Sequence, residues 1–126
     1  MKANTASSGT KRVLVVDDDE DTGELMHCLL STYGHEPIIA TSISDALNQV
    51  ALGGFALYIL DNWLGQRTGI DLCERIRASD QHIPIMFYSG AAYKTDIQNG
   101  LDAGAQAYVV KPDFEKLEQT IGRFLE

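Results

Sequence analysis

Three carboxylates, a hydroxyl and an ammonium stand out in this sequence because each directly follows a short apolar run. Asp17 and Asp18 follow "VLVV", Asp61 follows "LYIL", Ser89 follows "IMFY" and Lys111 follows "AYVV". Brought to one rim, the like charges of Asp17, Asp18 and Asp61 repel and are costly without a cation. A hard divalent metal resolves the conflict: Mg²⁺ takes oxygen ligands in octahedral geometry, typically one or two carboxylates, several waters and a phosphate oxygen. A carboxylate such as Asp61 can act as a nucleophile toward phosphorus, giving an aspartyl phosphate, provided the charge on the equatorial oxygens is neutralised. The metal and Lys111 can supply that neutralisation from two sides, and the Ser89 hydroxyl can donate to a phosphoryl oxygen.

Plainer roles compete with these. Asp19, Glu20 and Asp21 read as the acidic first turn of a helix, favoured by its dipole. Asp61 alone would serve equally well as a cap on the strand exit, and Ser89 before Gly90 as a turn residue. Most lysines are surface lysines, although Pro112 holds the Lys111 backbone extended or in a turn and permits a cis bond. Tyr108 reads as core, with a hydroxyl in need of a polar partner. The chemical reading therefore rests on convergence, which depends on the elements that carry these residues.

Apolar runs at Val13-Val16, Pro37-Ala40, Ala56-Leu60, Ile83-Tyr88 and Ala107-Val110 alternate with helical patterns, the signature of βαβ units. The runs are continuous rather than alternating in polarity, as expected when helices cover both faces of a sheet. Leu25, Met26, Leu29 and Leu30 form one helical stripe, and Ile43, Ala46, Leu47, Val50 and Ala51 a second. Ile70, Cys73 and Ile76 mark a third helix. Residues Thr95 to Ala103 give a weaker fourth, interrupted by Gly100, which costs helix stability. Phe114, Leu117, Ile121 and Leu125 mark a fifth, and Gly34, Gly53 and Gly104 sit where helices should stop. These elements predict an α/β fold, a flavodoxin-like three-layer (βα)₅ sandwich whose parallel five-stranded sheet has the order 2-1-3-4-5. Ligands of such sheets bind beyond the carboxyl ends of the strands, at the switch point between strands 1 and 3.

At 126 residues the chain suits one domain, with residues 1–10 expected as a flexible tail and residues 11–126 as the folded unit. A net charge of −8 argues against direct nucleic-acid binding and in favour of cations as ligands. No apolar stretch is long enough for a membrane span or a signal core, so a cytoplasmic location is expected. Cys28 and Cys73 fit no metal spacing and no disulfide framework, and both read as small core residues in a reducing compartment.

Over residues 11–126 the chain resembles the response-regulator receiver domains of two-component signalling. The likeness rests on "VLVVDDD", on Asp61 with Gly69 eight residues later, on Ser89-Gly90 and on "AGAQAYVVKP" at 103–112. The resemblance implies that Asp61 is the phosphoacceptor, that Asp17 and Asp18 hold Mg²⁺, and that the main-chain carbonyl of Trp63 is a further metal contact. It also implies that Ser89 and Tyr108 form a switch pair and that Lys111 contacts the phosphoryl group. The implied donor is a histidine kinase or phosphotransfer protein. The implied output face is the fourth helix, fifth strand and fifth helix, read by a downstream protein the sequence does not name.

Three positions depart from the family pattern. Gly65 stands where proline is frequent, which suggests a more mobile loop. Ser89 replaces the commoner threonine, and bulky Trp63 is positioned in sequence to shield Asp61 from water. The expected cycle is transfer to Asp61, movement of Ser89 toward the phosphate and an inward turn of Tyr108, shifting an existing equilibrium between two surfaces. After Pro112 there is room for one helix, so the output is expected in another protein. Alternatives are a phosphorylation-independent receiver-like binding module, or a receiver fragment of a longer regulator or hybrid kinase. An aspartate-nucleophile phosphatase would usually need a second acid where Trp63 stands. A flavodoxin would need a phosphate loop where the acidic run stands.

Overall fold

Val13 to Val16 carry no polar side chain, and all four are buried because helices cover the central strand on both sides. The computed structural model describes residues 9–126, so the tail expected over residues 1–10 lies, except for its last two residues, outside the described residues. The elements are β1 (Arg12–Val16), α1 (Glu20–Thr32), β2 (Glu36–Ala40), α2 (Ile43–Leu52), β3 (Leu57–Leu60), β4 (Trp63–Leu64), β5 (Arg67–Thr68), α3 (Gly69–Ser79), β6 (Ile85–Ser89), α4 (Lys94–Asp102), β7 (Ala107–Val110) and α5 (Phe114–Leu125). The main sheet is parallel with the order β2-β1-β3-β6-β7, which is the expected 2-1-3-4-5.

Alternate residues of each strand feed two cores. Leu14, Val16, Leu60 and Phe87 pack with Ile43, Leu72, Cys73 and Ile76 from α2 and α3. Val13, Val15, Ile59 and Met86 pack with Met26 and Leu30 of α1 and Leu117 and Ile121 of α5. Four helices begin with a side chain that accepts a backbone N–H: Asp19 from Thr22, Ser42 from Asp45, Thr68 from Asp71 and Asp113 from Lys116. Such caps contribute about 1 kcal/mol each.

At the sheet edge remote from the strand-end acids, Arg77 of α3 forms a clamp. Its guanidinium donates to the Gly104 carbonyl at 2.9 Å, to the Gln106 side-chain oxygen at 2.9 Å and to the Asp80 carbonyl at 3.1 Å. The Gln106 oxygen also accepts the Ile85 N–H at 2.7 Å. Nearby, the Cys73 thiol donates to the Ala103 carbonyl at 3.5 Å.

Four expectations change. The fourth main-sheet strand starts after Pro84, which lacks an N–H to donate, and runs through Ser89, so Ser89 closes the strand instead of following it. Residues 63–68 form a two-stranded antiparallel hairpin where a loose loop was expected. Gly65 turns it with a φ of +67°, a left-handed conformation that suits glycine. Cys73 is buried as expected, but Cys28 is exposed. At 100° per residue it falls about 200° around α1 from buried Met26. Phe114, the first residue of α5, is also exposed.

Candidate functional site

Strand register explains why distant carboxylates meet. Val16 is level with Leu60 in the β1–β3 ladder, so Asp17 and Asp61 leave adjacent strands at the same height. The Asp61 N–H donates to the Val16 carbonyl at 2.9 Å, and the Asp17 N–H to the Ala40 carbonyl at 3.0 Å. One carboxylate oxygen from each of Asp17, Asp18 and Asp61 lies within 4.8 Å of the others. Asp17 is 2% exposed and Asp61 8%, while Asp18 faces solvent. On the far side, Ser89 is level with Val110, and the Lys111 N–H donates to the Ser89 carbonyl at 2.9 Å.

Each acid is held by donors. Asp17 Oδ1 accepts the Asp19 N–H at 2.9 Å, and Asp17 Oδ2 accepts Lys111 Nζ at 2.9 Å. Asp61 Oδ1 accepts the Asn62 N–H at 2.8 Å, and Asp18 Oδ2 the Gly65 N–H at 3.2 Å. The last bond ties the hairpin turn to a site acid, and a proline at 65 would have no N–H to make it. Burial pushes Asp17 above the ordinary carboxylate range; the Asp19 N–H and Lys111 pull it back without cancelling the effect, and the Asp61 charge adds to it. Burial works against the Lys111 charge, yet the hydrogen bond and charge of Asp17, with Asp61 and Asp19 adding, outweigh it and raise its pKa.

Three carboxylates and one ammonium leave the cluster with an excess of negative charge. That donor set, all hard oxygen and confined within 4.8 Å, fits Mg²⁺.

Gly69, at the start of α3, packs on the backbone of the acid. A Cβ there would overlap the Asp61 carbonyl oxygen and lie 3.0 Å from Phe87 Cε1, and the Gly69 N–H donates to the Asn62 carbonyl at 2.8 Å. Ser89 is fully buried, and its Oγ accepts the Ala91 N–H at 3.1 Å. Tyr108 is buried too, stacked on Phe87 with ring centroids 5.3 Å apart, and its hydroxyl donates to the Ala91 carbonyl at 2.7 Å. The tyrosine expected to turn inward already lies inward. Gly100, unfavourable for α4 by propensity, leaves room for this ring: a Cβ would come within 2.9 Å of Tyr108 Cδ2. Trp63 begins the hairpin opposite Thr68 and is 59% exposed.

The structure thus brings Asp17, Asp18, Asp61, Ser89 and Lys111 to one rim, with Trp63 beside it and Tyr108 beneath. It adds Asn62, which the sequence reading missed. Asn62 is 4% exposed, and its Nδ2 donates to the Tyr108 hydroxyl at 3.1 Å. An amide immediately after a strand-end acid was the available signal, but its direction depends on the unanticipated hairpin.

Known proteins resemble this chain in both sequence and fold. The family profile described as the response regulator receiver domain matches residues 13–122. The transcriptional regulatory protein DltR of Streptococcus agalactiae is 34% identical over 101 residues, 80% of this chain and 45% of that protein. The DNA-binding response regulator MtrA of Mycolicibacterium smegmatis is 35% identical over 102 residues, 81% of this chain and 44% of its own. This chain therefore spans less than half the length of these relatives. Among solved structures, the non-phosphorylated HemR receiver domain of Leptospira biflexa superposes with a TM-score of 0.85 at 28% identity, covering 92% of this chain and 94% of that one. A response regulator receiver domain protein from Methanospirillum hungatei gives a TM-score of 0.85 at 28% identity, with 92% and 94% covered. Sequence profile, sheet order and the acid cluster at the strand ends agree: the chain belongs to the response regulator receiver domain family.

Proposed function

We propose that this domain is a signalling switch that accepts a phosphoryl group on Asp61 from a histidine kinase or phosphotransfer protein. The observation that carries the reading is the meeting of three carboxylates within 4.8 Å, with Lys111 bonded to one of them. The Asn62 N–H fixes the Asp61 carboxylate for attack on the phosphorus of a partner phosphohistidine. The new O–P bond forms as the P–N bond breaks, and its electron pair stays on the imidazole nitrogen, which takes up a proton. Asp17, Asp18 and Asp61, with the Trp63 main-chain carbonyl, would hold Mg²⁺, which when bound offsets charge on the phosphoryl oxygens. Lys111 turns from Asp17 toward the phosphate, and the Ser89 hydroxyl donates to it. On this reading the domain catalyses its own phosphorylation and dephosphorylation and turns over no external substrate.

The output face is α4, β7 and α5, read by a downstream protein. The net charge of −8 favours a protein over nucleic acid as the direct partner of this domain. Among the described residues no helix is long and apolar enough to cross a membrane, and we place the domain in the cytoplasm.

Intact-mass measurement after incubation with Mg²⁺ and a small phosphodonor tests the reading. One phosphoryl adduct is expected in the wild type and none in Asp61→Asn. An adduct of equal yield in both proteins would overturn it.

A further inference from the structure

So far Asn62 has served only through its main-chain N–H, yet its side chain is bonded as well, and the residue joins the acceptor to the tyrosine. Its main-chain N–H donates to Asp61 Oδ1 at 2.8 Å and its side-chain Nδ2 donates to Tyr108 Oη at 3.1 Å. Tyr108 Oη donates onward to the Ala91 carbonyl at 2.7 Å, and the Ala91 N–H donates to Ser89 Oγ at 3.1 Å. One hydrogen-bonded path therefore runs Asp61, Asn62, Tyr108, Ala91, Ser89. The Asn62 carbonyl accepts the Gly69 N–H at 2.8 Å, so its backbone is anchored as well.

We propose that Asn62 is a positioning residue that holds Tyr108 in its buried orientation and couples the tyrosine hydroxyl to the acceptor carboxylate. The proposal rests on the reading of Asp61 and Tyr108 given above. The tyrosine hydroxyl uses its single proton on Ala91, so it needs an incoming donor to fill a lone pair, and the Asn62 amide is that donor. In a site where Asn62 is 4% exposed and Tyr108 8% exposed, water is a poor substitute. The inward tyrosine is thereby favoured before any phosphoryl group is present. Phosphorylation then has less of the inward shift left to produce, because a state already populated responds little to further bias. Removing the amide lowers the inward-to-outward ratio by about 2- to 10-fold, the range expected for one net side-chain hydrogen bond.

The test reads the tyrosine rather than phosphorylation. In unphosphorylated wild type labelled at the tyrosine ring carbons, nuclear Overhauser effects are expected between the Asn62 side-chain amide and the Tyr108 ring, with Tyr108 identified by Tyr108→Phe. In Asn62→Leu, which keeps the branched heavy-atom outline at a somewhat larger volume and removes the donor, the Tyr108 ring signals should move toward solvent-exposed values and broaden. The reciprocal variant, Tyr108→Phe, should make the Asn62 amide protons exchange faster, and this arm stands if Asn62→Leu does not fold. Missing Overhauser effects in the wild type, Tyr108 signals unchanged in Asn62→Leu, or unchanged Asn62 exchange in Tyr108→Phe would overturn the proposal. A tyrosine that responds as described in a protein that takes up no phosphoryl group would retain the Asn62 link and remove only the phosphoacceptor reading.

Discussion

Lys111 Nζ and Asp17 Oδ2 meet at 2.9 Å although they leave strands β7 and β1, which β3 and β6 separate in the sheet. The pair spans the rim above the acceptor, and it is mostly desolvated, with side chains 22% and 2% exposed. In Lys111→Met a nearly buried carboxylate loses its cation. The expected cost is on the order of 2–4 kcal/mol, seen as a lower melting temperature in chelator. Ammonium and Mg²⁺ compete for Asp17, so added Mg²⁺ should raise the melting temperature of the variant by more than it raises that of the wild type. Equal increments would contradict the competition.

Trp63 is the single tryptophan and lies two residues from Asp61, which makes its fluorescence a local reporter. Mg²⁺ titration should change its emission in the wild type and leave Asp18→Asn unchanged over the same concentrations. If the indole also shields the acceptor from water, phosphorylated Trp63→Ala will lose phosphate faster than wild type by intact mass. An identical decay would dismiss the shielding role.

Gly69 and Gly122 predict opposite outcomes for the same substitution. Gly69→Ala forces a methyl into the Asp61 carbonyl and the Phe87 ring, and the backbone atom cannot rotate away. A loss of about 3 kcal/mol is expected in urea unfolding, at an unchanged m-value. A Cβ at Gly122 in α5 meets nothing within 4 Å. Gly122→Ala should therefore stabilise the helix by about 0.5–1 kcal/mol.

His35 gives the fold a pH dependence of definite sign. Burial, aided by the Lys11 charge, lowers its pKa below the ordinary 6.5, and its Nδ1 accepts the Lys11 N–H at 3.2 Å, a bond that requires the unprotonated nitrogen. The folded state thus prefers neutral His35. Its contribution is complete above pH 6.5 and is lost as the pH falls from 6.5 through the lowered folded value. Melting temperatures measured from pH 7.5 to 5 should fall less steeply in His35→Gln than in wild type.

The layered fold was legible because buried parallel strands leave unbroken apolar runs, and Val13-Val16 and Ala107-Val110 are such runs. The convergence of Asp17 and Asp61 was legible for the same reason: the runs end where the strands end, and register aligns Val16 with Leu60. Cys28 was misplaced because apolar neighbours in sequence do not share a helix face. The 63–68 hairpin left no periodic signal, having two residues per strand. Asn62 stayed hidden with it, since its partner Tyr108 lies 46 positions away.

The bonds from Arg77 and Cys73 to Gly104 and Ala103 turn the far end of α4 into a fulcrum. With that corner pinned, a push near Ala91 of the kind proposed for the phosphorylated state would swing the helix through an arc instead of sliding it along the sheet. Travel is then greatest around Tyr93, which is 80% exposed, so the domain would display its response as a lever does, farthest from the pivot and closest to the force.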